Sequence, residues 1–397
     1  MAPVLSGIRI VEQGTFITGP CAGMMLADLG ADVVKVESPT GDPYRSYQDG
    51  QFSPHFQAYN RNKRSVVLDL GADRDKALFD GLIGEADVYI QNFRPGTAER
   101  LGAGAQRLHG LNPRLVYCSI SGFGSAGPYV DRPSYDSVAQ ALSGFLSVVV
   151  DPARPRFMGP ALADAITGLY AAHGVLGALV ERGRTGRGRR VEVSMLEAMA
   201  HFAIEPFAAF FALGEVPRSS DRPRLAQAFI LRTADDRLIA IHLSSLEKFW
   251  QGLTSALETS ELAADERFRT RQGRIDNYEA LDAALGDLFS RRPARHWVER
   301  LSQHDVPFAP IHGIDEVVAD PQVRHLELIV PVESAHGGAQ AVRPAIQFDG
   351  ERAGHVRTAP LLDEHGPAIR QAMAAAGRWP DREDRDAVST SARRHSP

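Results

Sequence analysis

Cysteine is scarce in this chain. Only Cys21 and Cys118 occur among its 397 residues, and they form neither a C-x-x-C pair nor a zinc-ligand spacing. Sparse, unpaired cysteine is typical of proteins in a reducing compartment. The sequence therefore predicts a cytoplasmic protein without a metal site.

Net positive charge and long apolar runs are also missing. The formal net charge is -5, so no broad basic surface can neutralise a nucleic-acid backbone. The most apolar stretch, 198–213, contains His201, Glu205 and Pro206 and falls short of a membrane span, which favours a buried or interface helix. No charged segment followed by an apolar one opens the chain, so no signal peptide is expected. We predict neither a nucleic-acid nor a membrane partner.

Several catalytic motifs are absent. The chain has no G-x-S-x-G elbow, no H-E-x-x-H and no Walker loop, which argues against a serine hydrolase, a zincin and a P-loop enzyme. The segment GFGSAG, 122–127, matches the dinucleotide fingerprint, but Pro128 and Pro133 prevent the helix that should follow its last glycine. We interpret it as a flexible active-site or structural loop.

The first part of the chain alternates between strand and helix patterns. Strands are predicted at 8–11, 32–37, 66–70, 87–91 and 114–120, with helices at 20–29, 74–85 and 97–101. Such alternation predicts an α/β fold with a parallel, doubly wound sheet and ligands outside the carboxyl ends of the strands.

The pattern changes after residue 213. A connector rich in proline, serine and charge precedes a predicted hairpin (229–231 with 238–242) and helices at 246–257, 277–289 and 294–303. We predict a large Rossmann-like domain over 1–213, a small α+β domain over 225–312 and a return segment over 313–377 that completes the large domain. The charged end, 378–397, lacks an apolar period and is expected to be disordered.

One carboxylate, Asp164, lies among apolar and small residues. A helix is predicted from Leu162 until arginines and glycines at 182–189 end it. Asp164 then occupies the first turn, where unpaired N–H groups favour an anion, and Gly168 one turn later leaves room for a bulky group against the helix. The pattern alone leaves open whether Asp164 caps the helix or carries the chemistry.

Cations lie close to the predicted strand ends. Residues 60–64 (NRNKR) form a cationic cluster directly before the strand at 66–70, and Arg94 and Arg100 follow the strand at 87–91. Such groups can bind a phosphorylated ligand, although each charge alone is more typical of a solvated surface residue.

Longer motifs are distributed over nearly the whole chain. They comprise GIRIVEQ and MLADLGADVVKVE within 7–37, NRNKRSVVLDL at 60–70, NFRPGTAERLG at 92–102, NPRLVYCSISGFGSAGPY at 112–129, YDSVAQALSG at 135–144, LADAITGLYAA at 162–172 and RTGRGRRVEVSMLEA at 184–198. Together they resemble the class III CoA-transferases, a family that includes formyl-CoA transferase, carnitine CoA-transferase and alpha-methylacyl-CoA racemases.

This resemblance implies a fold and a reaction. The expected fold has a large Rossmann-like domain from both chain ends, a smaller domain from the middle, and two subunits linked as an interlocked homodimer. Asp164 would be the nucleophile, which takes the acyl group of a donor thioester as a mixed anhydride and then CoA as a thioester. Coenzyme A, acyl-CoA and a small carboxylic acid are the expected substrates, with no permanently bound cofactor.

The resemblance also implies residues for the CoA site. Arg45, Arg64, Arg94 and Arg100 would hold CoA phosphates. Tyr135 and Asp136 would border the CoA site near the thioester.

The predicted acyl pocket departs from the family at one position. A glutamine that shapes this pocket in formyl-CoA transferase is replaced here by Ile17, whose apolar side chain cannot donate a hydrogen bond to oxalate or a formyl group. We therefore expect neither a formate nor an oxalate enzyme, although Gln13 in the same loop could partly replace the missing donor.

Three functions remain open from the sequence. They are CoA transfer, racemisation or epimerisation of an acyl-CoA, and non-catalytic binding of an acyl-CoA or a dinucleotide. Racemisation needs two groups that flank the alpha carbon, and this chain has Tyr135 where the racemases carry a histidine. A phenol is a poor base at neutral pH, so we expect CoA transfer.

Overall fold

The computed structural model describes residues 3–47, 53–157, 159–244, 247–257, 259–332, 339–352 and 356–379. The chain forms two compact units. The first comprises the chain up to Phe145, Phe157–Ile204 and the chain from Glu327, and the second comprises Leu146–Arg156 and Glu205–Leu326. From the sequence we placed the domain boundaries at 213 and 313, whereas residues 205–213 and 313–326 belong to the second unit.

The first unit is built on one parallel sheet. Its strands are β1 (Arg9–Gln13), β2 (Asp32–Glu37), β3 (Lys63–Val67), β4 (Val88–Gln91), β5 (Val116–Ser121) and β6 (Arg190–Ser194). Within the described residues they lie in the order β3-β2-β1-β4-β5-β6, so the winding reverses between β1 and β4. A ligand crevice is expected outside the carboxyl ends of these two strands. The predicted α/β class and parallel sheet are confirmed.

Helices cover both faces of this sheet. They are α1 (Thr18–Asp28), α2 (Pro54–Asn60), α3 (Asp73–Glu85), α4 (Thr97–Arg100), α5 (Ala105–Leu111), α6 (Asp136–Leu142), α7 (Leu162–Thr185) and α8 (Met195–Phe202). In β1, Val11 packs with α3 and α5 while Ile10 packs with α1 and α7, because successive side chains of a strand point to opposite faces. The central strands are thus buried on both faces, which accounts for their continuous apolar runs.

Strand β3 begins three residues earlier than the prediction, at Lys63. Lys63 and Arg64 lie inside the strand and are buried, so the cationic cluster does not precede the strand as expected. Glu12 and Asp32 neutralise the two charges. These carboxylates are distant in sequence, so local charge alone suggested an exposed cluster.

The second unit has the expected α+β composition. Strands β7 (Ala228–Arg232) and β8 (Leu238–His242) form the predicted antiparallel hairpin, and β9 (Phe308–Pro310) extends it. Its helices are α9 (Ile204–Leu213, which begins at the end of the first unit), α10 (Asp221–Ala226), α11 (Lys248–Ala256), α12 (Glu261–Ala264), α13 (Arg271–Asp276), α14 (Tyr278–Phe289), α15 (Ala294–Gln303), α16 (Ile314–Val317) and α17 (Pro321–His325). The three helices predicted here match α11, α14 and α15, although residue 246 lies outside the described residues.

The returning chain completes the first unit. It forms the hairpins β10 (Ile329–Val332) with β11 (Ala339–Val342) and β12 (Gln347–Phe348) with β13 (Glu351–Arg352), and then α18 (Gly366–Ala376). Trp379 is buried in the core beside α3, and its Nε1 donates to Asp32 Oδ2 at 2.8 Å. The tail predicted at 378–397 therefore starts too early, and 380–397 lie outside the described residues.

Helix α7 is long and apolar enough to cross a membrane, as is the bent pair α8 and α9 taken together. In the first unit, however, α7 buries Ala171, Ala172 and Val175 against the sheet. A core helix passes the same test of length and composition, so its packing accounts for its apolar sequence.

Candidate active site

The first turn of α7 lies at the carboxyl edge of the sheet and is capped by Asp136. Asp136 Oδ1 accepts from the backbone N–H of Ala163 at 2.7 Å and of Asp164 at 3.3 Å. The same carboxylate accepts from Gln140 Nε2 at 2.7 Å through Oδ2. Capping, which the sequence left open for Asp164, is thus performed by Asp136, and the carboxyl group of Asp164 is not needed for it.

The side chain of Asp164 is half-buried, and its pKa lies above the usual value for an aspartate. Burial raises its pKa from 3.8 to about 7, and the negative charge of Asp136 acts in the same direction. Among the described residues, no Lys, Arg or His forms an ion pair with it. When it ionises, Asp164 therefore carries a poorly compensated negative charge, a state suited to a nucleophile or a base.

Asp164 lines a cavity of about 360 Å³. Its other walls come from residues within 15–18, 92–97, 120–124 and 130–135, together with Met195. The first three segments follow β1, β4 and β5, so the cavity lies where the reversal of strand order predicts a ligand crevice. An adjoining cavity of about 770 Å³ shares Phe93, Arg94 and Phe123 with it.

Three of the predicted site residues line the cavity with Asp164. Ile17 is buried in its wall, Arg94 is exposed and also borders the adjoining cavity, and Tyr135 is 61% exposed. The ring of Tyr135 meets Phe16 edge-on, with 6.1 Å between the ring centroids.

The glycine-rich segment 122–127 contributes Gly122, Phe123 and Gly124 to the cavity wall. No helix follows it until α6 at Asp136, which confirms that it is a loop and not a dinucleotide turn.

Arg45 and Arg64 do not lie at the cavity. Arg45 is buried, donates to both carboxylate oxygens of Glu37 at 2.7 Å, and stacks 3.9 Å from the ring centroid of Phe56. Arg64 is buried and pairs with Asp32. Both guanidinium groups therefore belong to the interior of the protein and not to a phosphate site.

Arg100 is exposed but lines neither cavity. Its guanidinium donates to Thr97 Oγ1 at 2.7 Å, within α4. Of the four arginines predicted to bind CoA, only Arg94 borders the cavities.

Gln13 and Gly168 also differ from their predicted roles. Gln13 Oε1 accepts from Tyr89 Oη at 2.7 Å on the side of the sheet that α3 covers, so it cannot supply the donor that Ile17 lacks. A Cβ on Gly168 would lie 2.7 Å from Cys21 Cβ and 3.0 Å from Thr18 O. This glycine allows α1 to pack against α7, and the space beside it holds that helix and not a ligand.

Arg132 and Asn92 are cavity residues that the sequence did not identify. Arg132 is exposed and lies 4.4 Å from the ring centroid of Tyr129. Asn92 accepts from Thr15 N at 2.9 Å and donates to Thr15 O and Thr18 Oγ1 at 2.8 Å each. It joins the loops that follow β1 and β4, and its place after a strand at the reversal point is the signal that could have found it.

A metal site is not apparent in the part of the chain that the structure describes, since no group of three His, Cys, Asp or Glu there could hold an ion. The expected absence of a metal and of a permanently bound cofactor stays a prediction.

Comparison with known proteins supports an assignment. The family profile "CoA-transferase family III" matches residues 5–366. Acetyl-CoA:oxalate CoA-transferase of Acetobacter aceti is 34% identical over 376 residues, covering 93% of this chain and 95% of that protein. Succinate–glutarate CoA-transferase of Agrobacterium fabrum is 33% identical over 377 residues, covering 91% and 94%.

A solved structure agrees with both the sequence match and the fold. The crystal structure of a CAIB/BAIF family protein from Brucella suis aligns with a TM-score of 0.84 at 33% identity, covering 94% of this chain and 100% of that one. The chain belongs to CoA-transferase family III and is an enzyme that transfers coenzyme A between an acyl-CoA thioester and a carboxylic acid.

Proposed function

We propose that Asp164 is the covalent nucleophile of this transfer. A carboxylate oxygen of Asp164 attacks the thioester carbon of the donor, and CoA leaves as a thiolate. The thiolate then attacks the aspartyl carbon of the mixed anhydride, which releases the donor acid and leaves an aspartyl-CoA thioester. The acceptor carboxylate repeats these two steps in reverse, so that acyl-CoA product leaves and the Asp164 carboxylate is regenerated.

The observation that carries this proposal is the uncompensated carboxyl group of Asp164, with a pKa near 7, in the wall of a cavity. A carboxylate is a weak nucleophile in water, but it becomes effective where burial removes part of its hydration and the acyl carbon is held in line. Asp136 supports this role, because it caps α7 and leaves the neighbouring carboxyl group available.

We propose that CoA extends from the Asp164 cavity into the adjoining one. CoA is long, and the two cavities of about 360 and 770 Å³ share walls at Phe93, Arg94 and Phe123. Arg94 carries an exposed guanidinium where they meet and would contact a CoA phosphate. Arg94→Met should raise the KM for acyl-CoA about tenfold with a small effect on kcat, whereas Arg100→Met, outside both cavities, should change neither.

We propose that the acceptor is a small dicarboxylic acid longer than oxalate. One carboxylate would react at Asp164 while the other pairs with Arg132, whose guanidinium is exposed at the same cavity. Curated relatives are named for dicarboxylates such as glutarate and mesaconate. A short acid such as oxalate would lie close to Asp164, where Ile17 offers it no hydrogen-bond donor. The missing donor therefore favours a longer acceptor.

An acceptor panel tests this assignment of the acid. Arg132→Met should raise the KM for a four- or five-carbon dicarboxylate by about tenfold while leaving the monocarboxylate of the same length unchanged. Equal effects on both acids would contradict the role of Arg132.

We propose that the active enzyme is an interlocked homodimer. Helix α9 exposes Phe207, Phe210, Phe211 and Leu213, and such an apolar face is typical of a protein interface. Size-exclusion chromatography with light scattering should give a dimer, and a folded, active monomer would contradict it. We also place the enzyme in the cytoplasm, without membrane or nucleic-acid partners.

The transfer itself is tested with a labelled free acid and an unlabelled acyl-CoA donor, beginning with succinyl-CoA. A CoA-transferase moves the label into a new thioester. A racemase, or a protein that only binds acyl-CoA, leaves the label in the free acid.

A further inference from the structure

A cluster of buried charges lies next to the loop at 14–18, which supplies one wall of the Asp164 cavity. This ion cluster contains the anions Glu12, Glu37 and Asp42 and the cations Lys35, Arg45 and Lys63, and each side chain is at most 5% exposed. Lys35 Nζ lies 3.0 Å from both Glu12 Oε1 and Asp42 Oδ2. Three positive and three negative charges are therefore held in the interior with little water.

A buried cluster of this kind need not add to the stability of the fold. Removing several charges from water costs more than their mutual attraction returns in many proteins, and apolar residues of similar volume can be equally stable. Gly23 of α1 leaves room for the ion cluster, because a Cβ at this position would lie only 2.7 Å from Glu12 Oε2. A second use for the cluster is therefore indicated.

Side chains of the ion cluster form hydrogen bonds with backbone groups of the loop at 14–18 and of the start of α1. Lys35 Nζ donates to Gly14 O at 2.6 Å, and Lys63 Nζ donates to Pro20 O at 2.8 Å. Asp42 Oδ1 accepts from Phe16 N at 3.2 Å. Three backbone groups before and within the start of α1 are thus bonded to charged side chains of the cluster.

The loop needs such support because its backbone is strained. Phe16 has φ of 60°, a left-handed conformation that bulky residues rarely adopt. Strain of this kind persists only where the surroundings hold it, and it is concentrated at functional sites. Phe16 lines the Asp164 cavity, and its ring meets Tyr44 edge-on at a centroid distance of 5.3 Å.

We propose that Asp42, braced by Lys35, is a positioning residue for CoA transfer. It holds Phe16 in the left-handed conformation, which keeps Phe16 and Ile17 in the wall that faces Asp164. The proposal rests on the proposed function, since it takes the Asp164 cavity as the place of reaction. Asp42 itself lines no part of that cavity in the described residues and acts through the loop.

The test compares Asp42→Asn with Asp87→Asn. Asp42→Asn keeps the shape of the side chain but removes the charge that pairs with Lys35. Asp87 Oδ1 lies 2.8 Å from Arg182 Nη1 at the amino end of the sheet, so its variant controls for the loss of another internal ion pair. We expect Asp42→Asn to lower kcat by about 10–100-fold with KM for acyl-CoA nearly unchanged, because a small misplacement of reacting groups slows the chemical step. Asp87→Asn should keep kcat within about twofold at a temperature where both variants are folded.

Hydrogen exchange supplies a second readout that does not depend on turnover. The amides of 14–19 should exchange faster in Asp42→Asn and at the wild-type rate in Asp87→Asn. If Asp42→Asn does not fold, Asp42→Ser, which can still cap the turn at Pro43–Ser46, carries the same expectations. Unchanged kcat and unchanged exchange at 14–19, or equal losses of kcat in the variants at both positions, would overturn the proposal.

Failure of the proposed function is distinguishable from failure of this inference. Full turnover in Asp164→Asn would refute the nucleophile, whereas hydrogen exchange at 14–19 would still report whether Asp42 holds the loop.

Discussion

Helix α7 runs between the two edges of the parallel sheet, and a carboxylate lies near each of its ends. The one near the last turn is paired with a cation, and the one in the first turn is not. At its last turn, Arg182 pairs with Asp87 at 2.8 Å, and the other oxygen of Asp87 accepts from Arg9 N at 2.8 Å. At its first turn, about 27 Å from Arg182 along the helix axis at a rise of about 1.5 Å per residue, Asp164 has a raised pKa and no ion-pair partner among the described residues.

The difference separates carboxylates that stabilise the fold from one kept for chemistry. A paired carboxylate is stabilised in its charged form and reacts poorly. A half-buried carboxylate without a cation lowers the stability of the folded state once it ionises, but it is more basic and more reactive. Such a trade of stability for activity is expected at an active site.

The largest expected effect comes from removing the unpaired carboxylate. Asp164→Ala and Asp164→Asn should lose turnover by about 1000-fold or more, because neither side chain can form an anhydride. CoA binding, measured by calorimetry, should stay close to that of the wild type. Normal turnover in Asp164→Ala would remove the distinction between the two ends of α7.

The pH dependence of the wild type sharpens the comparison. Only the ionised form of Asp164 can attack, and its pKa is about 7 in the free protein. The value of kcat/KM should therefore rise about tenfold per pH unit up to neutrality and level off above it. A profile that is flat from pH 5 to pH 8 would show that this carboxyl group does not titrate in the reaction.

Replacing the carboxylate by an amide should change the free energy of unfolding in opposite directions at the two ends of α7. The folded-state pKa of Asp164, about 7, exceeds the unfolded value near 3.8, so the folded state binds the extra proton and the wild type loses stability as pH rises between these values. Asp164→Asn should therefore raise the free energy of unfolding by about 1–4 kcal/mol at pH 8 and change it little at pH 4.

Asp87→Asn is the matched variant for the same urea titrations. It leaves the buried guanidinium of Arg182 without its anion, so it should lower the free energy of unfolding by about 1–3 kcal/mol at pH 8. Destabilisation by both substitutions at pH 8 would contradict the assignment of Asp164 as an unpaired carboxylate.

For the smallest expected effect, we predict no exchange of the alpha proton of an acyl-CoA substrate. With Tyr135 and not a histidine beside Asp164, a 2-methylacyl-CoA incubated with the enzyme in deuterium oxide should gain no deuterium at its alpha carbon. Incorporation at a rate comparable with CoA transfer, and abolished by Tyr135→Phe, would establish racemisation.

Much of the fold could be predicted from local patterns. Apolar runs located β1, β2, β4 and β5, because these strands are buried on both faces, and the glycines and arginines at 182–189 located the end of α7. Strand β3 was misplaced because its first residues are cations with partners distant in sequence. Strand β6 and helix α18 were missed although both carry local signals, since Val191 and Val193 alternate in β6 and α18 opens with Pro367 and ends before Gly377.

Only part of the candidate site could be predicted, because local patterns do not reveal contacts between segments that are distant in sequence. Asp164 stood out as a lone carboxylate among apolar residues. Arg45 and Arg64 looked like phosphate ligands, because charge is visible in a sequence while the buried partners Glu37 and Asp32 are not. The left-handed Phe16 and the cap supplied by Asp136 depend on contacts between separate segments, which no local pattern specifies.

Trapping the covalent intermediate tests the central claim most directly. The enzyme is incubated with an acyl-CoA donor, treated with hydroxylamine or borohydride, digested and examined by mass spectrometry, with Asp164→Asn treated in parallel. The account predicts a modification at Asp164 that requires the donor and is absent from the variant. A wild-type enzyme that turns over acyl-CoA but carries the modification on another residue would contradict it.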